Sequence, residues 1–131
     1  LNPKGELLLC TVANGQYVGG SYRCAPRSRN DDGILEVCLV KPISRLTFVR
    51  LMNAYKEGKH LDDPRFEKFV LYRRGKTVEV SSPDKQFACS LDGEILFNPQ
   101  FTVTVAEKAV RFAVPAEESV PVEGSESVFR K

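Results

Sequence analysis

A short acidic motif is the part of this sequence best suited to chemistry. Leu91 is followed by Asp92, Gly93 and Glu94, and an Asp-Gly pair between alternating apolar residues is typical of a tight β-hairpin turn. A rigid turn at the edge of a sheet can hold the next side chain towards a cleft. The motif therefore predicts a hairpin, and it leaves open whether Glu94 accepts a proton from an alcohol.

A second candidate is the polar loop at residues 26–34, in which Asp31, Asp32 and Gly33 are consecutive. Such residues most often form a solvated turn, because their side chains hydrogen-bond to the local backbone. Mg²⁺ also prefers oxygen ligands and usually keeps several waters, so the loop is compatible with a magnesium site. The carboxylate spacing of an EF-hand is absent.

Two glycine-containing pairs, Asn14-Gly15 and Gly19-Gly20, follow the first apolar run of the chain. They do not form a P-loop, because no Gly-Lys-Ser or Gly-Lys-Thr follows them. Glycines here favour a bend at which two backbone segments approach closely. A nucleotide site is therefore not predicted from these residues alone.

The elements that position these residues are predicted to be mainly β-strands. Apolar or alternating runs indicate strands at residues 6–12, 21–25, 34–40, 66–72, 77–81, 87–91, 101–105 and 110–114. A hairpin is expected to join residues 66–72 to 77–81. Many short strands separated by turn signals favour an antiparallel sandwich or barrel.

One helix is predicted at about residues 45–57. Ser44 suits its N-cap, and apolar residues recur with helical spacing until Gly58, a plausible stop. Beyond residue 114 the chain is rich in Pro, Glu and Ser. We therefore expect one β-sandwich domain at 1–114 and a loose or docking tail at 115–131.

The composition narrows the function classes. The net charge is +2, which does not favour a general nucleic-acid-binding surface, and no apolar run is long enough to span a bilayer. The four cysteines show no Cys-x-x-Cys spacing, and the single His60 argues against a zinc site. We expect reduced, mostly buried thiols and a cytoplasmic protein.

Taken together, residues 7–114 resemble the C-terminal half of the bacterial diacylglycerol kinase-like lipid kinases. The resemblance is carried, in order, by residues 14–20, 25–33, 58–61 and 92–94. It implies a two-domain enzyme in which an N-terminal α/β domain binds ATP through a Gly-Gly-Asp-Gly type motif. A C-terminal β-sandwich would face that domain across a cleft, where a lipid hydroxyl receives the γ-phosphoryl group.

The resemblance also implies roles for particular residues. Glu94 would be the catalytic base, and Asp92 would support its turn. A structural Mg²⁺ would be held by the Asp32 carboxylate and by the backbone carbonyls of Arg29 and Ile34.

The same resemblance makes the glycine region a candidate wall of the substrate cleft. Its candidate residues are Asn14, Gly15, Gly19 and Gly20. The expected partners are a lipid substrate and ATP, with peripheral and transient membrane contact.

The chain departs from the family pattern in two ways. The Gly-Gly-Asp-Gly motif is absent, so the chain alone is expected to bind ATP poorly and to be inactive. Arg27 and Arg29 make the proposed metal loop more basic than usual. If early strands of the domain are missing, exposed edges would favour pairing with a second copy, and a homodimer is a further expectation.

Two alternatives to a diacylglycerol kinase stay open from the sequence. The first is a non-catalytic β-sandwich that binds a partner or an ion, since the nucleotide motif is missing. The second is a related kinase that acts on a sphingoid base or on NAD.

Overall fold

The computed structural model describes residues 4–111, in which lie seven β-strands, one α-helix and two 3₁₀ helices. The strands are β1 (Leu9–Ala13), β2 (Leu35–Val40), β3 (Val70–Gly75), β4 (Thr77–Ser81), β5 (Ala88–Leu91), β6 (Glu94–Phe97) and β7 (Gln100–Thr104). The α-helix, α1, is Arg45–Lys56, and the 3₁₀ helices are Lys59–Leu61 and Pro64–Phe66. Every strand pair is antiparallel, which confirms the predicted, mainly β fold class.

The main sheet has three strands in the order β1-β2-β3. Its central strand β2 pairs Leu35 with Gly75 of β3 and Val40 with Leu9 of β1. Five of the six β2 residues are buried, as expected for a strand with neighbours on both sides. Strand β2 is thus the most buried strand of the described residues, whereas β1 and β3 are largely exposed or half-buried.

Helix α1 follows the sequence prediction closely. The Ser44 hydroxyl accepts a hydrogen bond from the Thr47 N–H at 3.2 Å, so it satisfies one of the free donors of the first turn. Leu51 is buried on the inner face of the helix. Gly58 follows the helix with a left-handed φ of 76°.

The remaining strands form two separate ladders, β4 with β7 and β5 with β6. The predicted hairpin between residues 66–72 and 77–81 is wrong, because β3 pairs with β2 whereas β4 pairs with β7. Only Lys76 lies between β3 and β4, which is too short for a reversing turn. The chain instead passes directly from one sheet to another there.

Two other predicted strands differ from the structure. Residues 21–25 contain no strand, and only an isolated bridge joins Val18 to Tyr22, since Gly19 and Gly20 turn the chain between them. Val110 also lies outside any strand. Residues 112–114 of the last predicted strand, and the tail at 115–131, lie outside the described residues.

A small apolar cluster connects the sheet to the loop after the glycine turn. Ala13, at the end of β1, packs with buried Cys24 and Ala25, and Tyr55 of α1 covers them. Ala25 also donates its N–H to the Gln16 carbonyl at 3.3 Å. The start of the candidate metal loop, residues 26–34, is therefore fixed by packing.

No helix within residues 4–111 is both long and apolar enough to cross a bilayer.

Candidate functional site

The Asp-Gly motif forms the predicted hairpin turn between β5 and β6. Leu91 pairs with Glu94, so only Asp92 and Gly93 make the turn. Their φ angles are 48° and 96°, and two positive values in a two-residue loop define a type I′ turn. Asp tolerates this conformation better than most residues with a side chain. The turn therefore fixes where the backbone of Glu94 begins β6.

Glu94 lies on the same face of its ladder as apolar residues. Cross-strand pairing places it beside Leu91, and the two-residue period of the strand puts Leu96 and its partner Cys89 on that face too. Glu94, Leu91 and Leu96 are all exposed. The arrangement is a carboxylate at the rim of an uncovered apolar surface.

The candidate metal loop is held by the Asp32 side chain. Its Oδ1 accepts the Ile34 N–H at 3.0 Å, which closes a local turn, and its Oδ2 accepts Nη2 of Arg74 at 2.8 Å. Gly33 has a φ of 67° within this turn. The Asp32 carboxylate is thus positioned by its own loop and by strand β3.

Glu36 is a buried carboxylate that the sequence reasoning missed. It lies on β2, its side chain is fully buried, and its Oε1 accepts Nε of Arg74 at 2.8 Å. Its Oε2 has no hydrogen-bond partner among the described residues. The pKa of the Tyr72 hydroxyl is raised, mainly by burial and to a smaller extent by the neighbouring Glu36. Arg74 therefore joins Glu36 to Asp32 of the loop. The hydrogen bond to Glu36 is the main cause that raises the pKa of Arg74.

The basic side chains of the loop are neutralised by nearby acids. Arg27 pairs with Asp62 at 2.9 Å, and Arg29 pairs with Asp31 at 3.2 Å. The hydrogen bond from Arg29 lowers the pKa of Asp31. These pairs reduce the repulsion that two arginines would otherwise impose on a cation in the loop.

The oxygen atoms that the resemblance assigns to Mg²⁺ are the Asp32 carboxylate, which already accepts from Ile34 and Arg74, and two backbone carbonyls. Neither the Arg29 nor the Ile34 carbonyl accepts a hydrogen bond from the described residues, so both carbonyl oxygens keep free lone pairs. Residues 4–111 contain no cluster of three or more His, Cys, Asp or Glu side chains arranged as metal ligands. Any site here would therefore depend on backbone carbonyls and water.

The glycine region forms a separate turn against α1. Asn14 and Gly15 directly follow β1, whereas Gly19 and Gly20 have φ angles of 58° and 77°. The Val18 N–H donates to the Tyr22 carbonyl at 2.8 Å and closes this turn. A shallow groove between the turn and α1 is lined by Tyr17, Ser21, Arg23, Asn53, Lys56 and Glu57.

The segment Gly58–Leu61 supports the start of the metal loop. A Cβ added to Gly58 would lie 2.9 Å from Cδ of Arg23 and 3.1 Å from Cβ of Pro26, so glycine permits a close approach. His60 is buried, with its ring centroid 4.6 Å from that of Tyr55. Burial lowers the pKa of His60. The segment is therefore a structural support for the loop.

A residue that contacts the metal loop from near the end of the described chain is Glu107, which follows β7. Glu107, after β7, approaches Gly33 so closely that an added Cβ would lie 2.9 Å from its Oε1, and Glu107 pairs with Lys76 at 2.6 Å. Within residues 4–111, no hydrogen bond or ion pair joins Asp92 or Glu94 to the metal loop. The relation between base and metal loop stays a prediction.

Comparison with protein families identifies the chain. The family described as the YegS C-terminal NAD kinase beta sandwich-like domain matches residues 4–114. The chain belongs to this family. The description agrees with the antiparallel ladders and the single α-helix of the described residues. The β-sandwich expected from the sequence is thereby confirmed.

Several curated proteins are similar to the chain. A diacylglycerol kinase of Bacillus subtilis (strain 168) is 29% identical over 91 residues, covering 70% of this chain and 28% of that protein. A probable lipid kinase YegS-like of Chromohalobacter salexigens is 31% identical over 122 residues, covering 86% and 36%. Sphingosine kinase 2 of Arabidopsis thaliana is 25% identical over 113 residues, covering 82% and 23%. The chain therefore spans between 23% and 36% of these three proteins.

Proposed function

We propose that this chain is the substrate-facing domain of an ATP-dependent lipid kinase. Its membership of a family whose relatives are named as diacylglycerol, YegS-like lipid and sphingosine kinases supports this function. The observation that carries the chemistry is the type I′ turn, which fixes Glu94 at the start of β6. The remaining length of the relatives leaves room for a nucleotide-binding domain.

Glu94 has the chemistry required of a base for an alcohol substrate. Phosphoryl transfer passes through a loose transition state, so the hydroxyl proton leaves late and positioning matters more than basicity. The type I′ turn supplies that positioning, and Asp92 keeps the turn in its left-handed conformation. Leu91 and Leu96 lie on the face of Glu94 and offer apolar contacts to acyl chains.

The loop at residues 26–34 is proposed to hold a structural Mg²⁺. Asp32 and the carbonyls of Arg29 and Ile34 would bind it, and when bound it would add positive charge to this part of the cleft. Arg74 keeps the Asp32 carboxylate in place through its second bond to Glu36. The glycine region containing Asn14, Gly15, Gly19 and Gly20 is proposed as a wall of the cleft.

A sphingoid base is the second candidate substrate. It is favoured by the similarity to a protein named sphingosine kinase 2. Both lipids present a primary hydroxyl next to apolar chains, so the described residues suit either one. The proposed location is the cytoplasm, with transient contact at the membrane surface.

The test is a substrate screen with the protein expressed from its complete gene. Diacylglycerol, a sphingoid base, NAD and a solvent blank would be incubated with ATP and Mg²⁺, and phosphate transfer measured. We expect transfer to diacylglycerol above all, and transfer to the sphingoid base instead would favour the second candidate. A folded protein that phosphorylates none of them would contradict the proposal and favour a binding module.

A further inference from the structure

Helix α1 has an outer face that combines apolar and basic side chains. Leu46 and Val49 are 60% and 69% exposed, although Leu51 on the inner side is buried. Residues three or four apart share a helix face, so Leu46 and Val49 form one stripe. We call this face the α1 outer surface; it comprises Arg45, Leu46, Val49, Arg50 and Lys56.

The charge of the α1 outer surface is of one sign. The helix contains Arg45, Arg50 and Lys56 but no Asp or Glu, whereas the whole chain is nearly balanced, with 19 basic and 17 acidic residues. None of these three cations forms an ion pair with another of the described residues. The local positive charge is therefore available to an anionic partner.

Aromatic rings extend this surface towards the glycine turn. The Tyr22 hydroxyl contacts the Met52 sulfur at 3.7 Å, and Nζ of Lys56 lies 5.7 Å from the centre of the Tyr22 ring. Tyr17 on the same turn is also exposed. Tyrosines suit the membrane–water interface, because their rings are apolar and their hydroxyls can reach water or headgroups.

Other basic residues of the chain are less available for the same role. Arg74 bonds to Asp32 and Glu36, and Lys76 pairs with Glu107. The basic segment at residues 73–76 is therefore partly used inside the fold. By contrast, the α1 outer surface has cations flanking exposed aliphatic side chains, the composition of an interfacial helix.

We propose that the α1 outer surface docks the protein on an anionic lipid bilayer. Leu46 and Val49 enter the headgroup region, while Arg45, Arg50 and Lys56 contact lipid phosphates. The proposal rests on the proposed function, because a kinase with a membrane lipid as substrate must work at a bilayer surface. We infer a membrane as the partner of the α1 outer surface. Its cations, which no described acid neutralises, complement anionic headgroups, and its exposed aliphatic and aromatic side chains suit the acyl chains below them.

The test is co-sedimentation of the protein, expressed from its complete gene, with phosphatidylcholine vesicles with or without phosphatidylglycerol. Val49→Glu should weaken binding to the anionic vesicles by about tenfold or more, since it replaces an inserted apolar group by a repelled charge. Glu favours helices more than Val, so the helix should persist. The matched control is Val110→Glu, because Val110 is 66% exposed and lies outside α1; it should bind like the wild type.

A second variant tests the charge contribution alone. Arg45→Gln combined with Arg50→Gln should lower affinity for the anionic vesicles by roughly 10- to 30-fold, and added salt should remove most of that difference. On pure phosphatidylcholine the same variant should bind like the wild type.

The two proposals fail in different ways. Val49→Glu should keep wild-type activity on short-chain diacylglycerol in detergent micelles, where docking is not required. Docking is overturned if the wild type does not sediment with anionic vesicles or Val49→Glu sediments like it. A change in oligomer mass or in the unfolding midpoint of Val49→Glu would instead assign the surface to a second copy or to another part of the protein. If no lipid is phosphorylated while docking persists, only the proposed function fails.

Discussion

One guanidinium joins a buried carboxylate to the candidate metal loop. Arg74 bonds to Glu36 on β2 and to Asp32 in the loop, both at 2.8 Å. A buried carboxylate is costly without a partner, so the burial of Glu36 depends on Arg74. Arg74 therefore helps to position the loop. Its loss would leave the Glu36 carboxylate inside the sheet without a cation.

Removing Arg74 is expected to destabilise the protein mainly through Glu36. Arg74→Gln should lower the midpoint of urea unfolding, because it leaves the buried carboxylate without its cation. Adding Glu36→Gln to that variant should recover much of the loss, since the buried charge is then gone. Additive losses in this double-mutant cycle would show that the two side chains do not depend on each other.

The sequence could predict local residue roles but not this network. Asp92 and Gly93 form a turn that their types alone indicate. The Glu36–Arg74 bond joins residues 38 positions apart, and its existence depends on the register of β2 with β3. Glu36 also lies among apolar neighbours, where alternation gives no sign that a carboxylate is buried.

At the scale of elements, Gly58 lets the loop pass close to the end of α1. Its φ of 76° is left-handed, and an added Cβ would lie 2.9 Å from the Arg23 side chain. Gly58→Ala should therefore lower the free energy of unfolding by about 1–3 kcal/mol in urea titrations. Gly15→Ala is the control, since its added Cβ meets nothing within 4 Å and its φ is not positive.

The opposite result for these glycines would contradict the described contact. If Gly58→Ala and Gly15→Ala unfold at the same urea concentration, the close approach of Arg23 and Pro26 to Gly58 does not persist in solution. A loss at Gly15 alone would instead assign the tighter packing to the glycine turn.

Element prediction succeeded where local signals decide the structure. Ser44 and the apolar spacing indicated α1, which begins at Arg45 as expected. Prediction failed at Lys76, because alternation on both sides of a Gly-Lys pair resembles a hairpin whatever the strands pair with. Pairing is a property of distant segments: Thr77 is opposite Thr104, and Leu35 is opposite Gly75.

At the scale of the molecule, one buried histidine makes stability depend on pH. Burial lowers the pKa of His60 in the folded state, whereas the unfolded value is about 6.5. As pH falls below about 6.5, the unfolded chain gains a proton that the folded chain does not. The free energy of unfolding should therefore fall with pH until the folded pKa is passed.

Urea titrations between about pH 7.5 and pH 5.5 measure this dependence. His60→Gln should unfold with a smaller pH dependence than the wild type, even if it is less stable at every pH because ring contacts are lost. Equal slopes for the two proteins would show that His60 is not protonated differently in the folded and unfolded states.

At the scale of the whole protein, the chain is one domain of a longer family pattern. The family match covers residues 4–114, and the chain spans 36% of the YegS-like relative. Leu91 and Leu96 are exposed beside Glu94, and we propose that another domain of the whole protein covers this face.

The most direct test of the proposed function is the turnover number of Glu94→Gln in the protein expressed from its complete gene. The substitution keeps the size of the side chain but removes the base, so kcat should fall by about 100-fold or more. Glu79→Gln on β4 is the control, because Glu79 is also an exposed strand residue, and its kcat should match the wild type. A Glu94→Gln protein with a kcat close to the wild-type value would contradict the assignment of Glu94 as the base.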